Sequence, residues 1–569
     1  MAKTMEKTDV VIVGLGWAGG IVAAECAKAG LKVVGLERGE ERGVEDYQRI
    51  HDEYRYAIRY ELMQDLSKET ITFRHSRDKK ALPMRQMGSF LLGEGLGGSG
   101  THWNGWTFRF LPYDFKIKTM TEERYGSEKI KPDIQLQDWG ISYEELEPYF
   151  DKFEKVAGIS GEPSPLGGQR PDAYPTPPMK KTPILRMFEE ATKKKGYHPY
   201  MIPSANLSET YENPDGETIF ACQYCGFCER FGCEYGAKSS PEVTVIPTAK
   251  KTGNFQLRTH ANVVEVLKKG DKVTGVRYID TLTGEEFIQP AEAVVLASYV
   301  FNNAKLLMVS NIGEQYDPET GRGTLGKNYC YQVNTGATGF FEKQMNTFMG
   351  AGALGMYMDD YNGDNFDHSD LDFLHGGGIW ILQSGNRPIN SNPVPPDVPL
   401  WGKEFKKAST YYFTRSLYVG GQGASLPHKE NYLSLDPTYK DAYGLPLIRM
   451  TYNFTEQDRA LHRFLSEKTA EIMKEMGAEQ VVEANELTDY DIVPYQTTHN
   501  TGGTIMGADP DTSVVNNYLQ HWHADNLFVV GAGNFPHNSG YNPTGTVGAL
   551  AYRCAEGVIK YSQNGGRLV

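Results

Sequence analysis

The sequence lacks the features of a membrane protein and of a nucleic-acid-binding protein. No apolar stretch approaches the roughly 20 residues that a transmembrane helix requires. Basic residues are the minority, with 58 Lys and Arg against 72 Asp and Glu, so the net charge is −14. A nucleic-acid-binding surface needs a basic stripe, and no cluster in this sequence supplies one. We therefore expect no nucleic-acid partner and no direct insertion into a membrane.

The N-terminus has none of the character of a cleavable secretory signal. Residues 1–8 are mostly polar and lead directly into an apolar run, whereas a signal peptide carries its own apolar core and cleavage site. We therefore expect the chain to carry no export signal of its own. It would be either cytoplasmic or exported to the periplasm with a partner subunit that bears a signal.

The first forty residues predict a βαβ unit. Residues 9–14 form a short apolar run that is typical of a buried parallel strand, residues 21–27 predict a helix, and residues 32–37 predict a second strand. The crossover between the two strands should be right-handed. The sequence therefore predicts an α/β fold that contains a Rossmann-type domain.

The turn between the first strand and the helix matches the dinucleotide-binding fingerprint G-x-G-x-x-G at Gly14, Gly16 and Gly19. The first glycine permits the tight turn, the second lets a pyrophosphate approach the backbone, and the third lets helix and strand pack closely. Glu37 ends the second strand and is placed to accept hydrogen bonds from ribose hydroxyls. An ordinary tight turn is the alternative, but both strands, the helix and the acid accompany these glycines, so we predict dinucleotide binding.

Later segments indicate that the nucleotide-binding domain is discontinuous. Strands are predicted at residues 255–260, 263–267 and 293–297, and a strand with a glycine turn at 526–533 precedes a helix from about 546 to 561. Residues 45–80 are polar and predicted to be helix-prone.

Between about residues 333 and 491 the βαβ rhythm disappears and aromatic residues become more frequent. We interpret this stretch as part of a second, α+β substrate domain built on an antiparallel sheet. The predicted boundaries are 1–150, 215–330 and 520–569 for the nucleotide-binding domain, and 151–214 and 331–519 for the substrate domain.

A second glycine-dense segment, residues 93–105, is called the glycine loop below. Its sequence resembles the signature of the glucose–methanol–choline (GMC) oxidoreductases, which is close to G-x-x-L-G-G-S-S-x-x-N-G. A flexible surface loop is the alternative, but the embedded Trp103 and the following Trp106 argue against it. Further segments resemble family motifs, so the resemblance covers nearly the whole chain: 236–249, 294–297, 325–328 and 542–544.

The resemblance implies a non-covalently bound FAD. In such proteins the backbone at Gly98 and Ser99 meets the pyrophosphate, and the chain around Asn104 lies against the flavin ring. The pair His102-Trp103 before Asn104 is similar to the sugar-dehydrogenase branch of the family, which includes FAD-dependent glucose, fructose and gluconate dehydrogenases and the large subunit of glucoside 3-dehydrogenase. The resemblance adds these cofactor-binding residues: His102, Val264, Gly533, Asn534 and Thr544.

The segment around His499 matches the catalytic histidine motif of the family, and Asn542 matches its partner position. A neutral histidine can take the hydroxyl proton of an alcohol, because its unperturbed pKa lies near working pH. Asn542 can donate a hydrogen bond to the substrate oxygen as charge develops. We therefore predict His499 as the base and Asn542 as its partner. The alternatives for the base are three other histidines, of which the first is the most plausible: His537, His521 and His523.

Four of the seven cysteines lie within twelve positions, in a segment (residues 222–233) that is called the cysteine loop below. Their short spacings can bring four thiolates to one small centre, as in iron–sulfur ligation. Zinc is an alternative, although zinc sites more often separate two cysteine pairs by a dozen or more residues. Two disulfides are a third possibility, but such close spacing strains their geometry. We predict a 3Fe-4S or 4Fe-4S cluster held by Cys222, Cys225, Cys228 and Cys233.

The sequence therefore predicts an FAD-dependent dehydrogenase that oxidises a secondary or anomeric alcohol of a sugar, glycoside or sugar acid, with glycoside oxidation at carbon 3 as one specific form. Substrate hydride would pass to flavin N5, and electrons would leave through the cluster. The expected partners are a small subunit and a cytochrome-type electron acceptor. One alternative is an oxygen-using GMC alcohol oxidase with a structural zinc at the cysteines, and another is an electron-transfer flavoprotein without catalysis.

Overall fold

Strands and helices alternate along the part of the chain that the computed structural model describes, which is residues 2–48, 51–86, 92–389 and 391–568. Within these residues the strands are, in chain order, β1 (Lys3–Thr4), β2 (Thr8–Val13), β3 (Val33–Leu36), β4 (Ile71–Arg74), β5 (Leu82–Pro83), β6 (Tyr200–Met201), β7 (Tyr211–Glu212), β8 (Thr218–Ile219), β9 (Phe255–Arg258), β10 (Ala261–Lys269), β11 (Lys272–Asp280), β12 (Glu286–Leu296), β13 (Val333–Phe340), β14 (Gly350–Met358), β15 (Gly377–Ser384), β16 (Ser416–Gly423), β17 (Tyr432–Lys440), β18 (Pro446–Thr451), β19 (Gln480–Glu483), β20 (Gln520–His521) and β21 (Ala524–Val529).

The α-helices of the described residues are α1 (Trp17–Lys28), α2 (Ser99–His102), α3 (Pro112–Phe115), α4 (Ile117–Tyr125), α5 (Tyr143–Ala157), α6 (Pro183–Lys194), α7 (Val245–Lys251), α8 (Val300–Val309), α9 (Gly402–Tyr412), α10 (Glu456–Glu475) and α11 (Thr544–Asn564). Short 3₁₀ segments lie at Val44–Tyr47, Ser127–Lys129, Pro241–Val243 and Ala532–Asn534, and a π-helical turn lies at Tyr54–Ile58. Within the described residues, no helix combines the length and apolarity needed to cross a bilayer.

The largest sheet has a parallel core in the order β9-β3-β2-β12-β21. Its central strand β2 is apolar and buried from Val10 to Val13, as expected for a parallel strand that is covered on both faces. Helix α1 packs against α11 and α7, and α11 also packs against α5. The long strand β12 leaves this core and continues into an antiparallel hairpin sheet with β11 and β10. The predicted Rossmann-type α/β domain is confirmed.

A second sheet is antiparallel and has the order β19-β13-β16-β15-β14-β6. Helix α10 covers β13 and β16. The Thr455 side chain caps this helix by accepting a hydrogen bond from the backbone N–H of Asp458, and the Asp458 carboxylate accepts one from the backbone N–H of Thr455. These two bonds satisfy backbone N–H groups that the first turn would otherwise leave unpaired. Leu461 and Leu465 then pack on glycines of β16. The predicted antiparallel sheet is therefore present.

A third sheet, β17-β18-β4-β5, joins distant parts of the chain. Strand β4 pairs in parallel with β18, so residues 71–74 are a strand inside a segment that the sequence predicted to be helix-prone. The pairing partner is about 370 positions away, which no local pattern reveals. This sheet combines ranges that the sequence analysis assigned to different domains, and the predicted domain boundaries stay a prediction.

Candidate functional site

A cleft of about 340 Å³ lies at the carboxyl ends of the parallel strands, where open α/β sheets bind ligands, and its volume is in the range of small-molecule sites. Residues that follow β2, β3, β12 and β21 form one side, and the glycine loop and the start of α11 form the other. Many residues predicted from the sequence line this cleft: Gly14, Gly16, Glu37, Gly98, Ser99, His102, Asn104, His499, Asn542 and Thr544.

The two glycine-rich segments touch each other and form a cradle at one end of the cleft. The Gly97 N–H donates to the Leu15 carbonyl at 2.9 Å. A Cβ on Gly98, whose φ is +52°, would lie 3.2 Å from the Gly16 Cα. The backbone therefore carries no side chains at the turn that a pyrophosphate would approach. The indole N–H of Trp17 at the start of α1 is buried beside this cradle and has no protein partner among the described residues. The donor set fits a dinucleotide.

Glu37 lies buried at the end of β3 and lines the cleft. Its two carboxylate oxygens accept the backbone N–H groups of Leu15 and Gly39, each at 3.1 Å. Burial raises the pKa of Glu37, and these two hydrogen bonds oppose the rise. The carboxylate therefore ties the glycine turn to the next strand, and its predicted contact with a ribose stays a prediction.

Four predicted cofactor residues do not line the cleft. Gly19 is buried between α1 and the turn, because a Cβ there would lie 1.9 Å from the Gly14 carbonyl oxygen. This is the close helix packing that the fingerprint requires of its third glycine. Val264 is buried while its neighbour Val263 lines the cleft, since adjacent strand residues face opposite sides.

Gly533 and Asn534 lie one turn beyond the cleft. Both are buried in the 3₁₀ segment after β21, whereas the residues just before them, Gly531 and Ala532, line the cleft. The Asn534 side chain donates instead to the Thr504 carbonyl at 2.9 Å. The sequence motif therefore identified the correct turn. The residues of that turn that face the cleft are Gly531 and Ala532, two positions before the predicted ones.

His499 and Asn542 come together in the cleft although 43 positions separate them. The Asn542 Nδ2 lies 3.1 Å from the His499 Nε2. The His499 Nδ1 contacts the Gln332 Oε1, and the Asn542 Oδ1 accepts from the Gln422 Nε2 at 3.0 Å. These four residues, Gln332, His499, Asn542 and Gln422, are called the amide–imidazole chain below.

The amide–imidazole chain determines which imidazole nitrogen is basic. The Gln332 Nε2 donates to the backbone carbonyls of Ser539 and Tyr541, at 2.8 and 3.1 Å. The Gln332 Oε1 is therefore the acceptor that faces His499, so Nδ1 of His499 carries the proton. Nε2 then has the lone pair and accepts from Asn542, since each neutral imidazole has one donor and one acceptor nitrogen.

The surroundings keep His499 neutral. The half-buried ring loses hydration, which lowers its pKa to about 3. The residue before it, Thr498, lines the cleft with φ at +72°. A β-branched residue in the left-handed region is strained, and such strain tends to occur at functional sites. The backbone therefore holds this imidazole in a costly but defined position.

The alternative histidines lie elsewhere: His521, His523 and His537 are not among the described residues that line the cleft. The Nε2 of His537 contacts the Asp114 Oδ1 at 3.1 Å, and its Nδ1 lies 3.3 Å from the Trp139 Nε1. His375 Nε2 contacts the same Asp114 oxygen at 2.6 Å. Burial would raise the pKa of Asp114, but the two histidines hold it well below its usual range.

The three residues Asp114, His375 and His537 are close enough to hold a metal ion. However, an indole N–H can only donate, so Trp139 requires a lone pair on Nδ1 of His537. The proton of the neutral ring is then on Nε2, where it donates to Asp114 and leaves no lone pair for a metal. This buried group instead anchors the segment that leads to Asn542.

The four cysteines of the cysteine loop surround one small cavity. All four are free thiols in the structure. Burial, and the charge of neighbouring thiolates, raise the pKa of Cys222 to about 12; burial likewise raises the pKa of Cys228 to about 11, although Lys238 opposes that rise. The backbone N–H of Tyr224 donates to the Cys222 sulfur at 3.4 Å. Thiols held together in this way fit a metal centre. A bound metal replaces their protons, and its positive charge offsets the energetic cost of placing several thiolates side by side.

The cysteine loop lies directly against the glycine loop. Gly352 separates them, since a Cβ there would lie 2.1 Å from the Asn104 carbonyl oxygen and 2.8 Å from the Cys228 Cβ. The Arg230 N–H donates to the His102 carbonyl at 2.6 Å, and the Arg230 side chain lines the cleft. The cleft and the thiols are therefore neighbours across a single glycine.

Sequence reasoning did not identify Gln332, Gln422 or Trp106 as parts of the site. Gln422 is on β16, Gln332 immediately precedes β13, and Trp106 lines the cleft while donating to the Gly352 carbonyl at 3.0 Å. Glutamine carries no chemical signature of its own, and its partners are more than a hundred positions away. The pairing of β13 with β16 places Gln332 and Gln422 behind the two residues that line the cleft, His499 and Asn542.

Comparison with known proteins shows what the chain resembles. Residues 136–334 and 427–551 match the N-terminal and C-terminal parts of the GMC oxidoreductase family. Gluconate 2-dehydrogenase flavoprotein from Pantoea cypripedii is 40% identical, over 100% of this chain and 96% of that protein. 2-Methyl-1,2-propanediol dehydrogenase from Mycolicibacterium austroafricanum is 30% identical, over 98% and 96%.

The large subunit of fructose dehydrogenase from Gluconobacter japonicus is 26% identical, over 99% of this chain and 100% of that protein. These matches extend over the whole cleft, from the glycine turn after β2 to the start of α11. The chain therefore belongs to the GMC oxidoreductases, and it is an FAD-dependent enzyme that acts on CH–OH groups.

Proposed function

We propose that the chain is a dehydrogenase for a sugar acid or sugar and that its cysteine loop holds an iron–sulfur cluster through which electrons leave. One observation carries the oxidation: the amide–imidazole chain presents an unprotonated imidazole nitrogen and an amide donor side by side in the cleft. The cluster is supported by the four thiols, one buried and three half-buried, around one cavity beside the same cleft.

His499 and Asn542 would act together on the substrate hydroxyl. The hydroxyl can donate its hydrogen to the Nε2 of His499 while its oxygen accepts from the Nδ2 of Asn542, because the two nitrogens are 3.1 Å apart. His499 would remove the proton as general base, and Asn542 would stabilise the oxygen as it becomes negative. FAD, when bound, accepts the hydride of the carbon. Gln332 and Gln422 would keep the two groups in these roles.

The residues that would hold FAD are the cradle at Gly14, Gly16 and Gly98 together with Ser99 and Thr544, all of which line the cleft. Thr544 begins α11, and this helix is 21 residues long, so its N-terminus offers N–H groups and partial positive charge to a phosphate or a polarised carbonyl. Asn104 also lines the cleft and is proposed to lie against the flavin ring.

A sugar acid is the substrate class that the relatives favour. The gluconate 2-dehydrogenase flavoprotein matches the whole chain at 40% identity, and the fructose dehydrogenase large subunit also matches its whole length. We therefore propose gluconate or a similar 2-hydroxy acid first, with a ketose or glucoside, including oxidation at carbon 3, as the second class. The name of the fructose enzyme also supports a small partner subunit, and we propose a cytochrome-type acceptor for the electrons.

The spacing of the sulfurs favours a polynuclear cluster over zinc. Four sulfurs bound to one zinc ion at 2.3 Å would lie about 3.8 Å apart. Among the described residues, no three of the four cysteine sulfurs lie within 4.8 Å of one another. An iron–sulfur cluster holds its cysteines farther apart, because its own iron and sulfide ions lie between them.

The catalytic part of the proposal is tested by replacing His499. His499→Ala should lower kcat with gluconate and an artificial dye by about 10² to 10⁴, the usual contribution of a general base, with FAD content unchanged. The exposed His523 provides the control, since His523→Ala should retain full activity. Normal turnover by His499→Ala with bound FAD would contradict the assigned role.

The cluster is tested by iron, acid-labile sulfide and flavin analysis of the purified protein. We expect iron and sulfide in the wild type and a loss of both in Cys228→Ser, while Cys330→Ser, a buried cysteine outside the loop, should retain them. Protein without iron that contains zinc and releases one hydrogen peroxide per substrate under air would instead establish the oxygen-using oxidase.

A further inference from the structure

Lys238 is a buried cation that bridges the cysteine loop and the glycine loop. Its side chain is almost completely enclosed, at 1% exposure. The Nζ donates to the carbonyls of Trp103 at 2.9 Å, Cys228 at 2.9 Å and Phe231 at 2.8 Å. The first acceptor belongs to the glycine loop and the other two belong to the cysteine loop.

Burial lowers the pKa of Lys238, but the three acceptors match the charged form of the amine. An ammonium group has three N–H donors, and each one here meets a carbonyl oxygen. A neutral amine would have two donors and would point its lone pair at the third oxygen. None of the three acceptors carries a formal charge, so these bonds solvate the ammonium without neutralising it.

A buried charge is costly unless an opposite charge compensates it. The carboxyl that acts on Lys238 is Glu242, a half-buried residue, and desolvation raises the pKa of Glu242, which favours its neutral form. The remaining candidates for the opposite charge are the thiolates of the cysteine loop, with Cys228 as the strongest electrostatic partner of Lys238.

A second cation, Arg387, also contacts the cysteine loop. The NH1 of Arg387, a half-buried residue, donates to the carbonyl of Gly226 at 2.9 Å, between Cys225 and Cys228. Its Nε is buried and has no partner among the described residues. Glu229 and Glu53 act on Arg387 more strongly than Cys228 does, so this cation adds positive charge beside the cysteine loop without being paired with the thiols alone.

We propose that Lys238 is the fixed counter-charge of the iron–sulfur cluster and that it raises the reduction potential of the cluster. The inference rests on the proposed function, because it requires the cluster. Each added electron makes a thiolate-bound cluster more negative, so a nearby buried positive charge stabilises the reduced form more than the oxidised form. The hydrogen bond from Lys238 to the Trp103 carbonyl would hold this charge against the glycine loop, which lines the cleft.

The test is a redox titration of the purified holoenzyme, followed by the electron paramagnetic resonance signal of the cluster. Lys238→Met removes the charge at similar length, Lys238→Gln retains N–H donors for the carbonyls without charge, and Lys238→Arg retains the charge. The two neutral variants should shift the one-electron equilibrium at least tenfold toward the oxidised form, which is about 59 mV. Lys238→Arg, and Lys272→Met at an exposed position, should remain near the wild type.

Every outcome of this titration either supports or overturns the role proposed for Lys238. A neutral variant that retains the cluster at an unchanged potential overturns the inference, as does loss of the cluster in all three Lys238 variants, since Lys238 would then serve packing alone. Loss of the cluster in the two neutral variants but not in Lys238→Arg supports the counter-charge. Wild-type protein without iron overturns the proposed cluster itself, which the iron analysis distinguishes from the other results.

Discussion

At the scale of single residues, His499 is oriented by an amide and not by a carboxylate. The Gln332 side chain accepts from Nδ1, and its own amide is fixed by two backbone carbonyls. A carboxylate at this position would stabilise the imidazolium and raise the pKa of the histidine. A neutral amide fixes the tautomer without that effect, so the ring stays an unprotonated base.

This arrangement predicts the pH dependence of the reaction. The active form of a general base is the unprotonated one, which is present above its pKa, and burial lowers the pKa of His499 to about 3. Activity that depends on this group should therefore fall only as the pH approaches 3, and kcat/KM should show no loss centred near 6.5. The measurement is a dye-coupled rate profile from pH 4 to 9 with the FAD content checked at each pH.

If the activity falls near pH 6.5 and this fall disappears when the solvent-exposed histidines are replaced, those histidines cause it. A fall near pH 6.5 that remains in those variants would contradict a neutral His499.

At the residue scale, a sequence points to a candidate only where a motif names a chemical group. The sequence singled out His499 and Asn542, and the structure places them 3.1 Å apart; their roles stay proposals. Gln332, Gln422 and Lys238 could not be identified, because each acts through partners that only the folded sheets bring near. A buried lysine also looks like any surface lysine in a sequence.

At the scale of elements, the turn between β2 and α1 depends on a glycine that does not face the cleft. A Cβ on Gly19 would lie 1.9 Å from the Gly14 carbonyl oxygen and 3.3 Å from the Ala297 Cβ. Neither neighbour can yield easily, because the first is backbone of the turn and the second follows β12. The position of α1 on the sheet therefore requires the absence of a side chain at residue 19.

Gly19→Ala should consequently displace the first turn of α1 and lower the affinity for FAD. We expect a purified variant with substoichiometric flavin and a lower thermal unfolding midpoint, since overpacking in a core typically costs about 1–3 kcal/mol. Gly30→Asn at the other end of the same helix is the control. Gly30 has φ +87° with no atom within 4 Å of an added Cβ, and asparagine tolerates this region. Full flavin occupancy in Gly19→Ala would contradict the packing argument.

The elements themselves divide into those with a local signal and those without one. Strands β2, β3, β9 and β10 and helix α11 were predicted close to their observed bounds, because buried strands are continuous apolar runs and long helices are periodic. For β12 (Glu286–Leu296) the sequence predicted only the apolar end, from residue 293. Strand β4 was missed, since it is short and its parallel partner β18 is distant in sequence. Tertiary pairing, and not local preference, makes that segment extended.

At the scale of the whole molecule, a buried charge network joins distant parts of the chain beside the cleft. Glu69, which precedes β4, accepts from Arg38 after β3 and from Lys305 in α8, and Lys305 also donates to Asp441 after β17 at 2.6 Å. Burial alone would raise the pKa of Glu69, but Lys305 and Arg38 lower it to about 2. The network thus connects the Rossmann sheet to the third sheet.

Glu69→Gln should destabilise the protein by about 3 kcal/mol at pH 7, because it leaves the buried Lys305 and the half-buried Arg38 with one carboxylate. The pKa of Glu69 is lowered on folding, so its contribution is present above the unfolded value of 4.5 and is lost as the pH falls toward 2. The difference between wild type and variant in the urea-unfolding midpoint should accordingly narrow below pH 4.5. Glu319→Gln removes an exposed ion pair and should change little. An equal effect of both substitutions would contradict the role of the network.

The central sheet takes its strands from both halves of the chain. Strand β21 pairs with β12, and α11 packs against α1, so a parallel core that begins at residue 8 is completed only by residues 524–564. During synthesis, the glycine turn leaves the ribosome long before the strand and helix that cover it. We therefore expect one edge of β12 to stay unpaired until the end of the chain has been made, and FAD to bind only after that strand and helix are in place.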